Sequence, residues 1–140
     1  MSDALTTLCL GCGLCCDGSL FTTAPLADAA EVAGARGRGL PVLTRPDGSA
    51  ALRQPCAALV GRRCEIYEAR PAACRRYRCM LFAALADGEV SEDEAQATVL
   101  RAHALLAAAR AGDELSPETA EARGRAAAFL ERRFRGHARR

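Results

Sequence analysis

The run Cys9-Leu-Gly-Cys12-Gly-Leu-Cys15-Cys16 constrains this chain more than any other stretch, because it places four thiols within eight residues. Two overlapping CxxC units lie in it, with a fourth cysteine immediately after. A metal ion favours thiolates close in sequence, since one tight turn can present two sulfurs about 4 Å apart without straining the backbone. Gly11, Gly13 and Gly18 allow such turns, and residues 9–18 read as a metal knuckle or the start of a helix. Side chains of neighbouring residues diverge, so Cys15 and Cys16 are expected to serve two sites, or one of them to stay unligated.

Downstream, Cys56, Cys64, Cys74 and Cys79 bring the count to eight. Eight thiolates suffice for two four-sulfur sites, each joining the N-terminal run to the later cysteines. The spacing leaves open one such site with free or redox-active cysteines, and also a centre of several iron atoms. Zinc suits a closed tetrahedral thiolate shell and is the favoured metal. Iron or an iron–sulfur cluster is the alternative, because CxxCxxC also opens a bacterial ferredoxin motif, although the C-x3-C-P ending of that motif is missing. Arg62, Arg63, Arg70, Arg75, Arg76 and Arg78 crowd the second cysteine group, where cations would offset the negative charge of a thiolate centre. Small, buried, chemically inert cysteines are the disfavoured reading for the group as a whole.

Cysteine density of this kind means disulfides in an oxidising compartment and metal or redox chemistry in a reducing one. The start MSDALTTLCLGCG has no basic segment, long apolar stretch or small-residue cleavage site, so a cytoplasmic location and metal are expected. No window reaches the roughly 18 apolar residues of a membrane span. Lysine and asparagine are absent and every Lys/Arg position is arginine, the mark of a GC-rich genome rather than of recognition. The formal charge of +2 counts thiols as neutral; two divalent ions on eight thiolates would make it about −2, which weighs against nucleic-acid binding.

At 140 residues, one domain (1–140) is expected, with a cysteine-cluster part at 9–79 and an alanine-rich helical tail at 80–140. The expected fold is mainly α, a small α+β protein with a metal-stapled N-terminal half of short hairpins and a C-terminal antiparallel helical hairpin. Pro25 reads as the first position of a short helix ended by Gly34 or Gly37. Pro46-Asp-Gly-Ser49 reads as the turn of a hairpin, and a second hairpin is expected around Gly61. Pro71 opens a helical turn carrying Cys74, with Cys74 and Cys79 both facing inward. Ser91-Glu-Asp-Glu94 is a capping box for a helix along Ala95, Val99, Ala102, Leu106 and Ala109 that stops at Gly112. Ser116-Pro117 starts a last helix with Ala122, Ala126, Phe129 and Leu130 on one face. Residues 132–140 read as a basic, solvated and frayed terminus.

The N-terminal run, together with Cys64-Glu-Ile-Tyr67-Glu-Ala-Arg70-Pro71-Ala-Ala-Cys74-Arg-Arg-Tyr-Arg-Cys79, resembles the CxxCxxCC cysteine-cluster family, a zinc- or iron-chelating domain often called YkgJ-like. The resemblance covers residues 9–79 and leaves the helical tail outside. It implies metal chelation by the eight cysteines in a bacterial protein, with Tyr67 packing over the site and Arg70 neutralising thiolate charge. Where the family pattern often has Phe-Pro before the last cysteine, this chain has Tyr77 and Arg78. A flagellin lysine methylase is similar over the same domain, which raises an iron–sulfur or modifying-enzyme alternative, but no methyl-donor motif stands beside it.

Other chemistry finds little support. The histidines, His103 and His137, fall far in sequence from every cysteine, so neither Cys–His catalysis nor a histidine-containing catalytic zinc site is indicated. The glycine-rich stretch 34–39 lacks the lysine and serine of a phosphate loop. A non-enzymatic metal-binding protein is therefore the favoured reading. A protein partner could be held through the C-terminal helices with the metal core as scaffold.

Overall fold

The computed structural model describes residues 3–135. Backbone contacts gather these into two units: residues 9–77 form one, and residues 3–8 with 78–135 the other.

The cysteine-rich unit opens with the last turn of the helix α1 (Asp3–Cys12), which carries Cys9 and Cys12. A helix therefore ends at the cysteine run, where the sequence suggested that one starts there. Gly13 stops it, taking the left-handed φ of 71° that a residue just past a helix end adopts and that only glycine takes cheaply.

β1 (Thr23–Pro25), β2 (Val42–Thr44) and β3 (Ala50–Arg53) form an antiparallel sheet in the order β1-β3-β2. Ala24 pairs with Leu52 on one side of β3, and Val42 with Leu52 on the other. The β2–β3 turn is the expected one: Asp47 accepts from the Ser49 amide at 2.9 Å and Gly48 has φ 88°. Pro25 closes β1 instead of opening a helix. The helix α2 (Ala29–Gly37) begins four residues later because Asp28 caps it, its carboxylate accepting from the Glu31 amide at 2.9 Å.

β4 (Leu59–Val60) and β5 (Arg63–Cys64) form the second hairpin, turning at Gly61 with φ 64°. A single 3₁₀ turn (Tyr67–Ala69) and the short helix α3 (Ala72–Arg76) follow, Pro71 sitting at the cap of α3. Ala24, Leu26, Ala35, Leu40, Leu52 and Ala58 make the apolar core of this unit, and Cys56, Ile66 and Cys74 pack against it.

In the other unit, α4 (Met80–Ala86) precedes α5 (Glu92–Ala111) and α6 (Pro117–Leu130), and α5 and α6 form the helical hairpin. The capping box of α5 has both of its bonds, Glu94 amide to Ser91 hydroxyl and Ser91 amide to Glu94 carboxylate. Ala95, Val99, Ala102 and Ala109 are buried from α5, and Thr119, Ala122, Ala126 and Leu130 from α6. So much alanine lets the two backbones approach closely. At Gly112 a Cβ would stand 2.0 Å from the Thr119 hydroxyl oxygen.

A π-helical turn (Glu131–Arg135) extends α6 and buries Phe134, 1% exposed. Residues 132–135 thus continue the helix rather than fray, because Phe134 adds one more apolar group to the buried face of α6, while Arg132 and Arg133 stay exposed as a solvated basic stretch. The remainder of the expected tail, His137 included, lies outside the described residues. The fold is the expected small α+β protein with short hairpins followed by a helical hairpin.

Candidate metal centre

Cys9, Cys12, Cys64 and Cys74 ride on short helices and strands, while Cys15, Cys16, Cys56 and Cys79 sit in the turns and loops between them. Cys9 and Cys12 stand three residues apart on α1, which puts them on one helix face. Beyond Gly13 the chain turns sharply, the amides of Cys16 and Asp17 both donating to the Gly13 carbonyl at 3.1 and 2.9 Å. That turn aims Cys15 and Cys16 the same way, their sulfurs lying 3.9 Å apart. The divergence expected of adjacent side chains is therefore absent, because the residues sit in a tight turn and not in extended backbone. Two sulfurs on one tetrahedral ion with bonds of about 2.3 Å stand about 3.8 Å apart, so the pair already has the separation of one edge of such a site.

The backbone ties this turn to the later cysteines. The Cys56 amide donates to the Cys16 carbonyl at 2.8 Å. Cys64 lies across the β4–β5 hairpin, paired with Leu59, and Cys74 rides on α3. Gly13 touches the same hairpin: a Cβ there would meet the Arg62 Cα and carbonyl oxygen at 3.0 Å.

The thiols feel one another. Cys16 is pushed far above its ordinary value, first by its hydrogen bond with Cys15, then by burial, then by the charges of Cys15, Cys64 and Cys74. Cys64 is raised chiefly by burial, with Cys56 and Cys15 adding to the effect. A backbone hydrogen bond at Ile66 and the Arg70 guanidinium act the other way. Cys15, Cys16, Cys56, Cys64 and Cys74 thus form one electrostatic neighbourhood, in which each added thiolate is costly unless a cation shares the space.

Arg70 is held by two contacts: its Nε donates to the Tyr67 carbonyl at 2.9 Å and its guanidinium lies 3.8 Å from the centre of the Tyr67 ring. The tyrosine ring packs on the arginine, and the arginine's charge favours the Cys64 thiolate. Cys79 occupies a different setting, in the helical unit, where its sulfur accepts from the Phe82 amide at 3.3 Å and caps α4.

Two contributors carried no reading in the sequence. Gln54, 8% exposed at the end of β3, donates its side-chain amide to the Cys15 carbonyl at 3.3 Å. Nothing in the local pattern marks it. Glu31 accepts from the Ala27 amide at 2.7 Å and from the Ala72 amide, 41 residues away, at 2.6 Å, so one carboxylate fastens α3 and its Cys74 to α2. The Asp28-x-x-Glu31 spacing was a capping signal that could have revealed it.

Among the described residues, no three cysteine, histidine, aspartate or glutamate side chains converge tightly enough to hold one ion. What the fold assembles is one sulfur–sulfur edge and three further thiols within its field. In donor chemistry this all-sulfur set fits a thiophilic metal such as zinc or iron.

Fold and site together define a small α+β protein built around a cluster of thiols. The chain belongs to the CxxCxxCC family, described as a "Putative zinc- or iron-chelating domain", whose model matches residues 8–101. The match runs past the last cysteine through α4 and into α5, so the family pattern includes part of the helical region that the sequence motif alone left outside. No curated protein and no solved structure matches the chain.

Proposed function

We propose that this protein is a chelator that holds zinc in closed thiolate sites, with iron the alternative occupant, and that its role is structural or sequestering rather than catalytic. The observation that carries this reading is the Cys15–Cys16 pair, 3.9 Å apart and within the field of Cys64 and Cys74.

The ligand set we assign is Cys9, Cys12, Cys15, Cys16, Cys56, Cys64, Cys74 and Cys79, enough for two four-sulfur sites. Binding converts thiols to thiolates and releases protons. A bound ion supplies the positive charge that the buried sulfurs otherwise lack. Arg70, seated on Tyr67, supplies a further part of it. Closing four sulfurs on one ion couples metal binding to ordering of the cysteine-rich unit. An all-sulfur shell leaves no position open for water, as a catalytic zinc would require.

Loading with cobalt(II) tests the ligand set, because tetrahedral four-sulfur cobalt has intense sulfur-to-metal absorption. Cys15→Ser and Cys16→Ser should each weaken those bands and lower the bound metal. Unchanged bands in both variants would remove the pair from the site and the reading with it.

A further inference from the structure

A cavity of about 290 Å³ opens in the cysteine-rich unit between α2 and the segment leading into α3. Its size is close to the lower end of the roughly 300–1,000 Å³ typical of small-molecule sites. Arg38, Arg70 and Arg75 line it, facing Asp28 and Glu31, with Ile66 in the wall.

The two carboxylates are already engaged by the backbone. Asp28 accepts from the Glu31 amide at 2.9 Å, and the two oxygens of Glu31 accept from Ala27 at 2.7 Å and Ala72 at 2.6 Å. The arginines are not engaged by acids. Arg38 donates to the Gly34 carbonyl at 3.1 Å, Arg70 to the Tyr67 carbonyl at 2.9 Å, and Arg75 to the Arg70 carbonyl. Each spends one N–H on a neutral carbonyl and keeps further donors. None of the three is in an ion pair with a described carboxylate; the described ion pairs all lie in the helical unit. Arginine richness by itself says little in a chain without lysine, but here three guanidiniums share one concavity whose own acids are occupied.

We infer that this cavity is a binding site for a small oxyanion, a phosphate or carboxylate group, gripped by Arg38, Arg70 and Arg75. Guanidinium pairs recognise planar and tetrahedral oxyanions by bidentate hydrogen bonds; Arg38 and Arg75 are exposed, and Arg70, half-buried, is the donor least screened by water. The donors are side chains fixed by backbone carbonyls, and Arg70, whose charge also favours the Cys64 thiolate, is the one shared with the thiol cluster.

The test is an NMR titration of the metal-loaded protein with inorganic phosphate and, separately, with succinate, against sodium chloride at equal ionic strength. Saturable shifts are expected in the amides of residues 34–38 and 69–75 with one or both anions, and which anion binds more tightly identifies the source of the oxyanion. Arg38→Met should weaken binding about tenfold, the loss of one charge-assisted contact. Ala30→Glu, which places a carboxylate in the same cavity near the start of α2, where a negative charge suits the helix, should compete with the anion while leaving the arginines in place. No shift beyond that of chloride overturns the inference, and so does binding that survives unchanged in Ala30→Glu.

Discussion

Gly13 shows how much of this protein depends on single positions. Its φ of 71° is open to glycine and strained for other residues, and an added Cβ would press on Arg62 backbone at 3.0 Å. Gly13→Ala should therefore cost about 1–3 kcal/mol in chemical denaturation and should lower metal stoichiometry, since the same turn aims Cys15 and Cys16. Wild-type stability together with wild-type metal content would show that the turn is not needed. Glu31 is the second such position. Glu31→Ala removes both backbone contacts and should lose about 1–3 kcal/mol, while Glu31→Gln, whose amide keeps one acceptor oxygen, should lose less. Equal losses for the two would mean that packing rather than hydrogen bonding holds α3. The cysteine spacing made the thiols and their metal chemistry legible, because donor density is a property of the sequence. Gln54 was not legible, since its partner lies 39 residues away; for Glu31 the Asp28-x-x-Glu31 spacing marks the local cap, but nothing local reveals its bond to Ala72, 41 residues away.

At the scale of elements, the local signals that carried their own hydrogen bonds were the readable ones. The capping box at Ser91, the Ser116-Pro117 start and the Asp47-Gly48 turn each specify their element through side chains within four residues. Elements that depend on distant pairing were missed: β1 exists because Ala24 meets Leu52, and residues 131–135 continue the helical backbone because Phe134 is buried. Phe134→Ala should accordingly cost about 3–5 kcal/mol, read as a lower thermal midpoint of the helical region. A change near zero would return that segment to the surface. The α5 cap adds a pH dependence. The Ser91 amide and hydroxyl hold Glu94 below its ordinary value, so the contribution is present above the unfolded glutamate range and is lost as pH falls through the lowered value. Wild type should be more stable than Glu94→Gln at neutral pH, with the gap closing in acid. A gap independent of pH would assign the cap to geometry and not to charge.

For the whole molecule, the division of labour is chemical. Seven of the eight cysteines belong to the unit of residues 9–77, while Cys79 caps a helix in the other. Strands of two to four residues and helices of nine residues or fewer bury little apolar surface of their own, so the cysteine-rich unit is the part expected to need a metal for full stability. The ligand partition among eight sulfurs was not legible because spacing constrains which thiols are near in sequence, not which close on one ion. The most direct test is the metal content and visible spectrum of the protein purified without air. About two zinc ions per chain and no colour, four sulfurs to each ion, is the predicted result; iron with acid-labile sulfide would contradict the zinc assignment, and a folded, metal-free protein with eight freely titrating thiols would contradict chelation itself.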